Sequence, residues 1–578
     1  MKTLINRILL ATMLASVSFS CSYLDRDMGD TMSEDELFSR IETVEGYLNN
    51  AYIYVQDFMC TTEDNSGRYN LGCATDELGY QQTGFGTQSP YGINTGSWSA
   101  SSMPLQKSWA EYYQCIHRCN KLIENYDRIP EETTTSGVDR KSRILGEAYG
   151  LRGYYYWLLF RMWGGVPLIK KDLDPGNEIS ISGIKRADAE DTVKSIVEDL
   201  NTACELLPTK HDDINFGRIT KVAAKALISQ VLLYWASPLW NPNNDKGRWS
   251  EAASAASNAL SLAVDCGHIL APRYSDLFGN VAINEYIWTK NSILSECFYW
   301  DYYHFPTGFG GQIQSVEGVL QEMVEAFEMD KSGELPVIGY NEDGTQIINP
   351  AARDYDPSHP WKGKDPRFYY SIMCHGDRLQ GSFIDTSEGA PARTASNPTY
   401  YYVKKYTDVN HNLIKAYSEF AFTYRRFAII RVTELYLNLA EALNESEGPT
   451  ERVREYVNII RRRAGCQTEI PSGLTQGEMR ERIRRERRME LCFEGHRFFD
   501  VRRWNIASKT DNGEVHRVEV KVKMDANGQK ELDAEGNTII ASITYPVYQT
   551  RVFKANLFPI PQSEIDKNNA IEQNPEWK

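Results

Sequence analysis

Residues 34–54 read EDELFSRIETVEGYLNNAYIY, with apolar side chains at Leu37, Ile41, Val44, Leu48 and Ala51, and Val55 one step beyond. Steps of three and four residues put these on one face of a helix with 3.6 residues per turn, so the stretch predicts an amphipathic helix. Outward from it, similar stretches follow at 105–126, 140–162, 187–207, 221–235, 249–264, 316–328, 431–444, 451–463 and 475–493. The last opens with Thr475-Gln476-Gly477-Glu478, a capping box in which hydroxyl and carboxylate each satisfy a backbone donor at the helix start. Pro130, Gly164-Gly165, Pro208, Pro238, Pro242, Gly448-Pro449 and Pro471 punctuate the series. Helices joined mostly by short turns predict a mainly α fold: stacked helical hairpins of tetratricopeptide type. No clean 34-residue period runs through them.

Two regions break the rhythm. Residues 56–104 are rich in Gly, Ser, Thr, Asn and Tyr, and residues 267–430 are long, Tyr-rich and irregular. Their aromatic content argues for ordered loops, since disordered segments are poor in aromatics. Near the C-terminus, Val518, Val520 and Val522 alternate with charged residues, and Asn527-Gly528 and Glu535-Gly536 supply turns. That pattern predicts a small β-hairpin element over 515–543.

The chain has 578 residues and a formal charge of -15, with 24% charged and 42% hydrophobic residues. Those proportions fit a globular chain. The acidic balance disfavours a nucleic-acid binder, which needs a cationic face for phosphate. Tyr (34) and Trp (12) together outnumber Phe (21), so aromatics with a polar handle are plentiful.

The first twenty residues read as an address. Lys2 and Arg7 precede the apolar run Ile8 to Phe19, and small Ser20 stands before Cys21. This is the layout of a secretory signal over 1–20, and a Cys directly after it marks Cys21 as the acylation site of a bacterial lipoprotein. Two or more acyl chains would anchor it stably. The remainder divides into an N-terminal helical region, 21–240, and a C-terminal region, 241–578, that includes the irregular segment.

The search for catalysis is mostly empty. No nucleophile elbow, phosphate-cradling loop or His-Glu-x-x-His motif is present. Glu486, Glu490 and Glu494 are spaced for one helical face, but Arg482, Arg485, Arg487, Arg488, Arg497, Arg502 and Arg503 crowd them. Guanidinium groups lower carboxylate pKa values, whereas an acid catalyst needs its value raised, so the cluster reads as a structural lattice. Glu434 and Glu441 share another helical face, with Arg461 or Arg463 as candidate partners. Cys115 and Cys119 lack the further ligands of a zinc site and read as core residues. Cys60 and Cys73 could pair across a loop, which the residues leave open. Asp525-Ala526-Asn527-Gly528 begins like a calcium loop, yet position 12 is Gly536, so hairpin turns explain it better. No metal or cofactor is expected.

Several segments carry a resemblance. These are Met162-Trp163-Gly164-Gly165-Val166-Pro167-Leu168, the run from Ile430 to Ala442, Arg461-Arg462-Arg463-Ala464-Gly465 and the run from Glu486 to Arg497. Leu557-Phe558-Pro559-Ile560-Pro561-Gln562-Ser563-Glu564 and Gln573-Asn574-Pro575-Glu576-Trp577 complete the set. In this order they resemble the SusD/RagB family of Bacteroidota outer-membrane lipoproteins, over the span from Cys21 to the end. The resemblance implies a helical, tetratricopeptide-containing body on the cell surface that binds oligosaccharide without cleaving it. It also implies a partner, a TonB-dependent outer-membrane transporter of the SusC kind. A peptide-capturing member of the same family, and a glycoside hydrolase with carboxylates in 267–430, remain open as alternatives.

The ligand site implied by the resemblance is an arc built from the first long loop and the irregular middle. Pyranose rings offer apolar faces and hydroxyl rims, so a binder wants flat aromatics with carboxylate, amide or Arg groups around them. Trp98, Trp300 and Tyr302 are the leading candidates for stacking, followed by Tyr303 and Phe309, with Gly308, Gly310 and Gly311 beside them. Asp76 and Arg68 are the candidates for hydroxyl contacts. Trp109 and Trp163 fall on helix faces and are expected to pack inside.

Overall fold

The computed structural model describes residues 32–56, 61–64, 67–81, 89–133, 139–173, 183–278, 283–290, 294–309, 314–341, 344–409 and 425–578. The leader with Cys21, Cys60, Gly310, Gly311 and the side chain of Arg68 lie outside the described residues.

The helices follow the hydrophobic spacing closely. They are α1 (Glu34–Leu37), α2 (Ile41–Asn49), α3 (Gln106–Glu124), α4 (Arg140–Trp163), α5 (Ala189–Leu206), α6 (Lys221–Ala236) and α7 (Lys246–Asp265). In the irregular segment come α8 (Leu294–His304) and α9 (Gln321–Ala326), and then α10 (Val432–Glu447), α11 (Glu451–Ala464), α12 (Gln476–Glu490) and α13 (His496–Arg503). Side-chain caps fix the starts. Asp139 accepts from the N–H of Lys141 at 3.0 Å, Asp188 from Asp191 at 2.7 Å, and Thr220 from Ala223 at 3.1 Å. The capping box at Thr475 and Glu478 forms as the sequence predicts. The single helix expected over 34–54 is split, because the Ser39 hydroxyl donates to the Glu36 carbonyl at 2.6 Å and closes the first turn early.

Consecutive helices pack in order, α3 on α4, α4 on α5, α5 on α6 and α6 on α7. The next partner of α7 is α10, so the helical stack continues across the irregular segment as though it were an insertion. A strand pair closes that insertion at its base. β2 (Tyr286–Lys290) runs antiparallel to β4 (Phe427–Arg431), with Tyr286 opposite Arg431. The helix predicted over 316–328 is corrected. Its first half is β3 (Glu317–Val319), which ladders with β1 (Leu78–Tyr80) in the first loop, Leu78 opposite Val319. The two irregular regions are thereby tied together by backbone hydrogen bonds.

The C-terminal β element is two nested pairs. β5 (Gly513–His516) pairs with β8 (Val547–Arg551), and β6 (Glu519–Val522) pairs with β7 (Ile540–Thr544). In the turns beyond β6, Asp525 accepts from the backbone of Asn527 and Gln529 at 2.8 Å each, and Asp533 does the same for Glu535 and Asn537. These are Asx turns, and the carboxylates that began like a calcium loop are spent on backbone.

Gly164-Gly165 ends α4 for steric reasons. Gly164 has φ +77°, and a Cβ on Gly165 would lie 2.2 Å from the Ala187 carbonyl oxygen. The linker from α4 to α5 can double back this tightly only because both positions lack a side chain.

Candidate functional site

Tyr299, Tyr302 and Tyr303 lie at i, i+3 and i+4 on α8, which brings their rings to one helical face. Ring centroids are 6.3 Å apart for Tyr299 and Tyr302, 6.0 Å for Tyr299 and Tyr303, and 5.5 Å for Tyr302 and Tyr303. All three are half-buried, with part of each ring reaching solvent. Partial burial raises the Tyr302 phenol above its ordinary value, so this hydroxyl stays protonated.

The inward face of α8 explains why the tyrosines point out. Trp300 is buried, its Nε1 donates to the Lys405 carbonyl at 3.1 Å, and its ring centroid lies 3.8 Å from that of His304. His304 Nε2 lies 2.8 Å from Glu317 Oε2 on β3, and Glu317 Oε1 accepts the N–H of Asn70 at 2.9 Å. Asp301 holds Arg425 through two contacts of 2.8 Å each. Helix, middle insertion and first loop are therefore pinned to one another beneath the exposed rings. Beside them the Tyr548 hydroxyl donates to the Tyr80 carbonyl at 2.6 Å, and burial pushes its phenol up to about 12. Tyr303 is near enough to Tyr80 to bear on its phenol electrostatically.

Set against the sequence expectations, the candidate residues divide between the interior and the surface. Trp98 is a correction: it is 1% exposed, packed edge-on against Phe558 and Trp577 at 4.9 and 4.7 Å, and so clamps the C-terminal tail. Trp300 is a second correction, since an indole 1% exposed has no face to offer a ligand. Asp76 is a third. It is buried, and Arg497 binds it bidentately at 2.8 Å with Arg488 at 3.0 Å. Burial would raise its carboxyl, but Arg488 and Arg497 outweigh that and hold it at about 2. Tyr302 and Tyr303 stand on the exposed face, and Phe309 is half-buried against the small cluster around Phe305, Ile384 and Tyr402. Tyr299 and Tyr548 were not anticipated. The i, i+3, i+4 spacing of the α8 tyrosines was the available signal for the first; the second comes from a strand remote in sequence. Trp109 and Trp163 are buried as expected, with ring centroids 5.3 Å apart.

The arginine-rich segment forms the expected lattice. Arg431 bridges Glu285, Glu490 and Glu494 at 2.8, 2.8 and 2.9 Å, and Arg367 and Arg461 meet Glu486 at 2.5 and 3.0 Å. Burial raises the Glu490 carboxyl, yet Arg463, Arg431 and Arg367 together bring it down to about 2. Glu494 lies beyond the end of α12. Glu441 pairs with Arg503 at 2.6 Å and Glu434 accepts from Gln230, which corrects the pairing expected with Arg461 or Arg463. Near the tyrosine face, Asp301 and Glu317 are both buried and committed to partners. Among the described residues no group of three His, Cys, Asp or Glu side chains could hold a metal ion, and Cys73, Cys115 and Cys119 are buried free thiols.

Residues 285–577 match the family model described as the SusD family, and residues 23–233 match one described as starch-binding associating with outer membrane. A SusD-like protein, P25, of Formosa agariphila is 24% identical over 426 residues, covering 71% of this chain and 72% of its own. Among solved structures, a SusD-like protein from Bacteroides fragilis superposes with a TM-score of 0.74 at 26% identity, covering 94% of this chain and 98% of that one. A SusD-like carbohydrate binding protein from the same species gives a TM-score of 0.71 at 22% identity, covering 93% and 100%. No helix of the described residues is long and apolar enough to cross a membrane.

Proposed function

This chain belongs to the SusD/RagB family, and from that premise we propose that it captures oligosaccharide on the α8 tyrosine face and passes it to a SusC-like TonB-dependent transporter. The observation that carries the reading is the trio Tyr299, Tyr302 and Tyr303, three half-buried rings held on one rigid helical face. Such rings lie against the apolar faces of pyranoses, and their hydroxyls serve the sugar rim. Trp300, His304 and Glu317 lock the helix from beneath, so the platform is ordered before ligand arrives and little entropy is lost on binding.

Binding without hydrolysis fits the same geometry. Glycoside hydrolysis needs two carboxyl groups flanking the bond, one of them protonated. Asp301 and Glu317, the acids that brace the platform, are buried and occupied by Arg425, His304 and Asn70. Acyl chains on Cys21 would hold the protein at the outer membrane, in keeping with the description of the family matched by residues 23–233. The relative from Bacteroides fragilis described as carbohydrate binding supports the ligand class.

Isothermal titration of the purified mature protein against soluble starch, laminarin, oligogalacturonides and a mixed peptide pool tests this. Saccharide binding that Tyr302→Ala and Tyr303→Ala weaken supports it. A peptide-only response, or sugar release from the polysaccharides, would overturn it.

A further inference from the structure

Resting on that reading, we propose that the site prefers saccharides bearing anionic substituents, carboxylate or sulfate, and that Arg393 and Arg517 select them. The two guanidinium groups come from remote parts of the chain and converge on one ring, 4.6 and 5.5 Å from the centroid of Tyr400. They share one carboxylate oxygen. Glu519 Oε1 lies 2.6 Å from Arg517 and 3.5 Å from Arg393. Two cations therefore face one anion, and the local balance is positive on a chain whose formal charge is -15. At physiological salt the remote acids are screened beyond ~8 Å, so a ligand at this spot responds to the pair.

The hydrogen-bond inventory points the same way. A guanidinium carries five N–H donors and no acceptor. Arg517 Nε is buried without a partner, and the side chains of Arg393 and Arg517 are 18% and 33% exposed. The rim of a neutral sugar both donates and accepts, so its binding site mixes acceptors with donors. Here donors are in surplus, and the complement is an acceptor-only group with the planar or tetrahedral oxygens that a guanidinium fork matches. The nearby Lys530 is already neutralised by Asp385 at 2.7 Å. Lys521 is exposed and shares the β6 face with Glu519, opposite Ser542.

The pair is continuous with the tyrosine platform. Arg517 bears electrostatically on the Tyr548 phenol, whose hydroxyl donates to the Tyr80 carbonyl. Gln81, the residue after Tyr80, donates its side-chain amide to the Ala395 carbonyl at 3.4 Å, two positions from Arg393. Tyr80 and Tyr548 are thus the intermediates through which the guanidinium pair neighbours Tyr303.

The test is calorimetric titration of the mature protein with length-matched oligogalacturonide (carboxylate), carrageenan oligosaccharide (sulfate) and laminari-oligosaccharide (neutral), at low and high salt. At least one charged probe is expected to bind roughly tenfold or more tighter than the neutral one, with an advantage that shrinks in salt; which one does so assigns the anion. In R393Q/R517Q, checked for an unchanged melting profile, the charged-to-neutral affinity ratio should fall about tenfold. Glu519→Gln, which removes the competing carboxylate, should raise it or hold it. Neutral binding that depends on Tyr302 without any preference for charge would overturn this inference and leave the platform standing. A preference that survives R393Q/R517Q would overturn it too. No saccharide binding at all would remove both.

Discussion

Trp300 and Tyr302 sit two residues apart on one helix and meet opposite environments. The two positions differ by ~200° around the helix axis, so one ring is sealed inside and the other reaches solvent. Trp300→Ala is therefore expected to cost about 3–5 kcal/mol of stability, read as a lower urea midpoint. Tyr302→Ala should move that midpoint by ~1 kcal/mol or less while weakening saccharide binding by ~1–3 kcal/mol, the range for an aromatic stacking partner. An unchanged affinity in both Tyr302→Ala and Tyr303→Ala would remove the platform. Indoles read alike in sequence whether they stack on a ligand or plug a core, which is why Trp98 and Trp300 looked like ligand contacts; only the tail docking onto Trp98 and the Lys405 and His304 contacts of Trp300 separate the two roles. Asp76 makes a pH prediction. Its folded carboxyl sits at about 2, below the ~3.9 of an unfolded chain, so the unfolded state binds more protons between those values. The stabilisation of ~2–3 kcal/mol is present above about pH 4 and is lost as pH falls toward 2. Urea midpoints across pH 2–5 should drop more steeply in the parent than in Asp76→Asn; equal slopes would contradict the assignment.

At the scale of elements, the arginine lattice joins pieces that the hydrophobic pattern leaves separate. Arg431 ends β4 and meets acids from the entry to β2, from α12 and from the turn beyond it. Removing one member of a buried ion cluster strands the others, so Arg431→Ala is expected to cost ~3–5 kcal/mol and to loosen the base of the insertion. Hydrogen exchange should then quicken in β2 and β4 ahead of α4 and α5; uniform acceleration would argue against a local role. The long helices α3 to α7 and α10 to α12 were legible from the spacing of their apolar residues and, at Asp139, Asp188, Thr220, Asp245, Thr450 and Thr475, from a capping side chain; α3 and α10 start without one. Helix α8 was not, since aromatics occupy five of its eleven positions and blur the period. The β1–β3 ladder was not either: three residues paired across more than two hundred leave no local signal.

Over the whole molecule, the helical stack is a scaffold and the insertion between α7 and α10 carries the proposed ligand face. Stack and loops share one continuous core, and the first loop is stitched to the insertion by β1 and β3. Anchoring belongs to this scale as well. Cys21→Ser is expected to shift the protein from the membrane fraction to the soluble fraction, and full retention of the variant would remove Cys21 as the anchor. The most direct test of the central claim is the crystal structure of the mature protein with the best-binding saccharide of the panel. The account predicts pyranose rings lying on Tyr302 and Tyr303, with Trp98 and Trp300 untouched. Density for the saccharide elsewhere, with the α8 tyrosines bare, would contradict it.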